Sequence, residues 1–244
     1  DNGFRLFCGF NIEEATPDHT YFGRVRNLLG AEKTGKMFRM LVEKATEKEI
    51  MHNVFKFVDA TAIKAKETTW EQRDKAIKEG EEKLNNSNVK NYSADKDARF
   101  GCKGKFWYGY KKHVSVDMKS GLMDKVAVTP ANVPDQEGFA LICPNEGMVF
   151  GDKAYCLSAA QKEMRARGCH SGAILKNNMK GKNKEKDRWI TSVRAPFEGI
   201  FSKDQTRARY RGFVKMQLQA FMEAMAFNVK RLLVIGSPPL FTGA

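Results

Sequence analysis

The stretch "MVFGDKAYC" (148–156) runs apolar through Met148, Val149 and Phe150, then delivers a single acid, Asp152, directly behind a glycine. A short apolar run bounded by glycine reads as a buried strand, and a carboxylate behind it stands at a sheet edge. The plan recurs in "NVFKFVDATAIKAK" (53–66), where the β-favouring Val54, Phe55, Phe57 and Val58 end at Asp59. Two strands that each close on an aspartate are unexpected here, because the 244 residues hold 42 Lys and Arg against 29 Asp and Glu, a net charge of +13.

Working outward, the spacing predicts an antiparallel hairpin from "KFWYGYKKHVSVDMK" and "LMDKVAVTPAN" about the turn "KSG". A helix opens at Pro134-Asp135 and runs to about Ile142. The strand at 148–152 follows, then a helix over "LSAAQKEMRARG", a strand "GAILK", a basic loop and a long helix over about 213–233. Antiparallel strands followed by βα alternation imply a mixed sheet flanked by helices. Upstream, Thr16-Pro17-Asp18 starts a helix that Gly30 closes, and a second helix covers roughly 34–48. Residues 1–50 thus form a small helical unit, 51–236 the main α/β domain and 237–244 a tail. Residues 66–98, mixed in charge and poor in large apolar groups, read as a peripheral insert.

The length and the 42% hydrophobic content fit a folded globular domain. The positive balance asks for a polyanionic partner, and nucleic acid suits it better than a membrane surface, since no apolar stretch approaches a bilayer span. Five cysteines without C-x-x-C spacing argue against a zinc module and a disulfide framework and fit reduced cytosolic thiols. The opening "DNGFRLF" lacks a methionine and reads as that of a fragment.

Phosphoryl transfer on a nucleic acid develops charge that two divalent ions can stabilise, and magnesium takes oxygen ligands. Asp59 and Asp152 meet that need if their strands are neighbours, with a third acid from a crossing helix. Beyond this spacing argument, "SVRAPFEGIFSKDQTRARYRGFVKMQLQAFMEAMAFNVKRLL" (192–233) resembles the C-terminal catalytic segment of bacterial insertion-sequence DDE transposases, in the branch with a Y-x2-R-x3-E-x6-K motif. Arg194 and Glu198 stand at the R-x3-E spacing. "FVDATAIKAK", "YGYKKHVSVDMKSGLMDKVAVTPANVPD", "VFGDKAYC" and the leader "FRLFCGF...PDHTYFGRVRN" are similar to the same family.

The resemblance implies an RNase H-like fold in which Asp59, Asp152 and Glu198 bind two Mg2+ ions, with Mn2+ as a substitute. It implies a DNA transposase that cuts transposon ends and joins them to target DNA, nucleoid-associated in the bacterial cytoplasm and a homodimer on double-stranded DNA. Arg194 and Lys203 would position the strand. The sequence departs from the motif at Gln205, where the family has lysine, and at Thr191, where it has tyrosine. Two other readings stay open: an RNase H-like nuclease without joining activity, and a non-catalytic DNA-binding remnant.

The remaining candidates divide by context. Asp117 opens the hairpin turn and Asp135 follows Pro134 at a helix start, both structural settings for a carboxylate. Glu185 reads as a solvated charge, and Glu198, just behind Pro196 and Phe197, has the alternative reading of a helix-start acid. "NNMKGKNKEKDR" is either a solvated loop or an arm that tracks phosphates through Lys180, Lys182 and Lys184. In "TRARYRG", Arg207, Arg209 and Arg211 alternate, which in an extended segment puts three guanidiniums on one side. Phe213, Met216, Phe221, Met222 and Met225 form a stripe suited to core packing. His113 lies in a strand with DNA contact or proton transfer as its possible roles, and the four histidines are too scattered for a metal site.

Overall fold

A computed structural model describes residues 5–6, 9–67, 69–202 and 206–236. After α1 (His19–Glu47) come β1 (Phe55–Lys64), α2 (Trp70–Lys78), α3 (Val89–Tyr92), β2 (Arg99–Lys103), β3 (Lys105–Asp117) and β4 (Met123–Pro130). A short α4 (Asp135–Gly138) with one 3-10 turn leads to β5 (Met148–Gly151), α5 (Ser158–Ala166), β6 (His170–Ala173), α6 (Lys184–Ser202) and α7 (Phe213–Gly236). The strands make one six-stranded mixed sheet in the order β2-β3-β1-β5-β6, with β4 also paired to β3. β3 lies antiparallel to β1, β2 and β4, whereas β1, β5 and β6 run parallel. Antiparallel hairpins on one side and parallel crossovers on the other, with helices against the faces, give the RNase H-like arrangement that the sequence led us to expect.

α1 begins where Asp18 accepts the Thr20 and Tyr21 backbone N–H groups (2.8 and 2.9 Å). At Gly30, φ is 61° and ψ −177°, so the helical run breaks at the glycine read as a stop and resumes directly after it. Its second half packs on α7 through Phe38 and Phe221, ring centroids 5.8 Å apart.

β1 differs from expectation by running five residues past Asp59. On its β5 side the ladder ends at Phe57↔Phe150, but on its β3 side pairing continues to Lys64↔Gly109 and protects those backbone groups. Side-chain alternation then places Phe57, Asp59 and Ile63 on the face covered by α6 and α7, and Val58 and Ala60 on the face covered by α4 and α5. The two faces make two cores, one centred on Phe57, Tyr110, Val114 and Phe150, the other on Val58, Phe139, Ile142 and Tyr155.

Residues 66–98 join the interior instead of lying wholly outside it. Val89 and Ala98 are fully buried, and Asp95 accepts the Tyr110 hydroxyl (2.6 Å) and the Gly212 N–H (3.2 Å). Polar partners on β3 and ahead of α7 hold this segment, which is why apolar periodicity did not reveal it. β2 also went unforeseen, because Gly101 and Gly104 interrupt its pattern.

Candidate functional site

The β1–β5 ladder pairs Phe55 with Met148 and Phe57 with Phe150 and ends there, so Asp59 and Asp152 each stand two residues past its last pair, near enough for the Asp152 charge to act on Asp59. The Asp59 side chain follows Phe57 toward α6. Each aspartate accepts one local backbone N–H, Asp59 from Ala60 (2.7 Å) and Asp152 from Ala154 (2.8 Å). Among the described residues, no Lys or Arg comes within 4.0 Å of either carboxylate. Burial raises the pKa of Asp59 above the usual carboxylate range. The Ala60 N–H and the charges of Lys103 and Arg194 oppose that rise, and the Asp152 charge adds to it.

α6 covers this pair. Trp189 meets Phe150 edge-on at 6.0 Å, and Phe197 lies 6.1 Å from Phe57. Between them Arg194, 8% exposed, lays its guanidinium 5.1 Å from the centre of the Phe57 ring. It donates to the Gly151 carbonyl (3.4 Å) and stands 3.8 Å from Glu198, one turn on. Arg194 therefore joins β1, β5 and α6 at the seam where Asp59 and Asp152 emerge.

Glu198 does not open a helix: α6 starts at Lys184 and Pro196 lies inside it. The error came from treating Pro196 as a helix start, when a proline can sit within a helix that bends around it. The Glu198 carboxylate is 60% exposed, and among the described residues no group of three or more His, Cys, Asp or Glu converges as a metal site. Asp59 and Asp152 still fit a divalent cation: they are two carboxylate oxygen donors, Asp59 the desolvated one, with no cationic side chain in direct contact.

The basic residues separate by environment. Lys182 is tied down, donating to Leu175 O (3.1 Å) and Asn177 Oδ1 (2.6 Å) with Asp187 at 3.4 Å, whereas Lys180 and Lys184 are exposed. Arg207 and Arg209 are exposed on a segment bound to β1 through Lys64, and Arg211, also exposed, stands 3.8 Å from Glu67. Arg26 stacks 4.5 Å over Tyr210 and donates to its hydroxyl, anchoring the same segment to α1. Lys203 and Gln205 lie outside the described residues, as does the tail 237–244.

His113 is fully buried, its Nε2 2.8 Å from Thr129 Oγ1, and burial lowers its pKa to about 4, so it reaches no DNA and is uncharged at neutral pH. Asp117 caps the β3–β4 turn through Ser120, and Asp135 pairs with Lys111 at 2.7 Å. In the α7 stripe Met216 is buried while Phe213 and Met222 are exposed; Met222 lines a groove of about 1120 Å3 between α6 and α7, bordered by Lys119, Arg209, Tyr210 and Lys230. Among the described residues no helix is long and apolar enough to cross a membrane.

A family described as transposase DDE domain matches residues 53–229, from just before β1 into α7. The chain is also 28% identical over 229 residues to a transposase for insertion sequence element IS1106 from Neisseria meningitidis serogroup B, covering 86% of this chain and 76% of that protein. With that match spanning both aspartate-bearing strands and α6, the chain belongs to the transposase DDE-domain family, whose members are enzymes that act on DNA.

Proposed function

We propose that this DNA transposase cleaves the ends of an insertion sequence in a reaction dependent on Mg2+, or Mn2+ in its place, and transfers the freed 3′-hydroxyl to target DNA, with Asp59, Asp152 and Glu198 as its catalytic acids. The observation that carries the reading is the register that leaves Asp59 and Asp152 each two residues past the last β1–β5 pair, with no cationic side chain in contact with either. Bound divalent ions supply positive charge for a phosphoryl transition state and an activated oxygen nucleophile. Asp59 and Asp152 would hold them, with Glu198 completing the set from α6.

The chain's own residues do the rest. Arg194 ties α6 to β5 through the Gly151 carbonyl and pairs with Glu198 one turn on, from where Glu198 would be brought to the aspartates. Arg207, Arg209 and Arg211 offer forked donors to phosphate oxygens, joined by Lys180, Lys184 and Lys203, with Lys182 bracing the loop that carries two of them. The groove between α6 and α7, with its basic border, suits a duplex that approaches the acids from that side. A homodimer would hold two transposon ends together. Residues 51–236 would act as the catalytic domain and 1–50 as a helical adjunct to it.

A strand-transfer assay with a pre-cut transposon end tests this. Joined products that require the divalent ion and disappear in Asp152→Asn are expected. Cleavage without joined product would make the protein a nuclease, and DNA binding without either would make it a non-catalytic remnant.

A further inference from the structure

Among the described residues of 66–98 none belongs to the site above, yet three acids there act together on one segment, 206–213. Asp97 accepts the Phe213 N–H (2.9 Å) at the first turn of α7, buried Asp95 accepts the Gly212 N–H (3.2 Å), and Glu67 stands 3.8 Å from Arg211. β1 grips the same segment from its other end, where the Lys64 N–H donates to Thr206 O (2.8 Å) and Lys64 O accepts the Ala208 N–H (2.7 Å). Between the two, Gln219 of α7 accepts the Arg209 N–H (2.9 Å). An irregular stretch is thus fixed along its length by hydrogen bonds to its backbone.

What the segment presents outward is Arg207 and Arg209. Both are exposed, with buried Ala208 between them, and among the described residues neither guanidinium has a hydrogen-bond or ion-pair partner. A cation that closes on an anion ordinarily gives up backbone as well as side-chain freedom, and here the backbone share is already lost in folding. The ties come from acids, which by charge alone would repel a polyanion, so their place beneath two unpaired arginines calls for a reason beyond electrostatics.

We propose that the insert 66–98 is the scaffold of a preformed phosphate grip, in which Asp97 and Asp95 are positioning residues that hold Arg207 and Arg209 in place for the backbone of double-stranded DNA. The grip meets β1 at Lys64, five residues beyond Asp59 and so about 17 Å along the strand, a length that about five base pairs of duplex cover. This deepens the transposase reading and rests on it, since it states how the DNA of that reading is held.

The test is a double-mutant cycle on the full chain, with a short duplex of arbitrary sequence as probe, because phosphate contacts carry no sequence information. Removing an acid from a basic surface should by charge alone tighten DNA binding; Asp97→Ala should instead weaken it roughly fivefold, the change that about 1 kcal/mol of regained segment freedom produces. Asp97→Asn keeps the acceptor oxygen and loses the charge, so it should bind at least as tightly as the parent. Joint replacement of Arg207 and Arg209 by alanine should cost the parent about fivefold more affinity than it costs Asp97→Ala. Gly212, with φ of 89°, gives a second route: Gly212→Ala strains the same turn without touching a charge and should act as Asp97→Ala does. Equal arginine effects in the parent and in both variants, or Asp97→Ala binding as tightly as Asp97→Asn, overturns the proposal and leaves the transposase reading standing. A parent protein that binds no DNA would remove both.

Discussion

β1 carries two ionic sites three residues apart on opposite faces, and the molecule treats them in opposite ways. On one face Lys56, 1% exposed, lies 3.0 Å from Asp124 and 3.5 Å from Asp117, whose other oxygen accepts both the N–H and the hydroxyl of Ser120. On the other face Asp59 meets Asp152 with no lysine or arginine in contact and one backbone N–H apiece. The first cluster is compensated within the chain, which is what a structural charge requires. The second leaves negative charge for something outside the chain to neutralise, and that asymmetry supports the proposal that it is the working site.

The largest expected effect lies on the uncompensated face. Asp59→Asn or Asp152→Asn should lower cleavage and joining roughly a thousandfold or more, since several kcal/mol of transition-state stabilisation depends on the donor set, while DNA binding persists. Stability should move the other way. Because Asp59 titrates higher in the fold than in the unfolded chain, its ionisation opposes folding above its folded pKa, and that opposition vanishes below the model-peptide value of 3.8. Asp59→Asn should therefore gain its stability advantage at neutral pH and lose it on acidification through that range. A variant less stable than its parent at pH 7 would break the comparison.

On the compensated face the expected loss is one of folding. Lys56→Met leaves Asp117 and Asp124 buried without their cation, which should cost about 3–5 kcal/mol in chemical denaturation. Unchanged stability would mean that the two faces do not differ in kind.

His113 shares that compensated face, opposite Ala60. Its pKa falls to about 4 in the fold, so the unfolded state binds the extra proton between about 6.5 and 4, and stability drops as pH falls through that window. Wild type should lose up to about 3 kcal/mol between pH 7 and 4 that His113→Gln retains. Equal acid losses in the two proteins would show that another group sets the acid limit.

The smallest effect concerns the basic loop. Each phosphate contact adds roughly −0.9 to the slope of log affinity against log salt. Replacing exposed Lys180 and Lys184 by alanine should flatten the slope by about 1.8, and Lys182→Ala, whose ammonium is spent on Leu175, Asn177 and Asp187, should leave it nearly unchanged. A Lys182→Ala effect as large as either of the others would place that ammonium on DNA.

The uncompensated pair was legible in the sequence because each aspartate follows its own apolar run, and local pattern is what a single sequence displays best. The compensated cluster was not: Lys56 reads as a solvent-facing strand lysine until Asp117 and Asp124 arrive from the far hairpin. The same holds for Asp95, whose partners Tyr110 and Gly212 lie on other elements. The span of α6 was hidden for another reason, since its first turns, "KEKDRW", carry the charge density of a loop and Pro196 suggested a start in the middle. Arg194 was found through its spacing to Glu198, yet its burial against Phe57 emerged only from the fold.

The parallel pairing of β1 with β5 also fixes when the two aspartates can meet during synthesis. β2, β3 and β4 can pair early as neighbours along the chain and β1 joins β3 across residues 65–104, but β5 must close a longer loop to reach β1, and α6 leaves the ribosome later still. A nascent chain thus holds Asp59 well before it has Asp152 or Arg194 to set beside it.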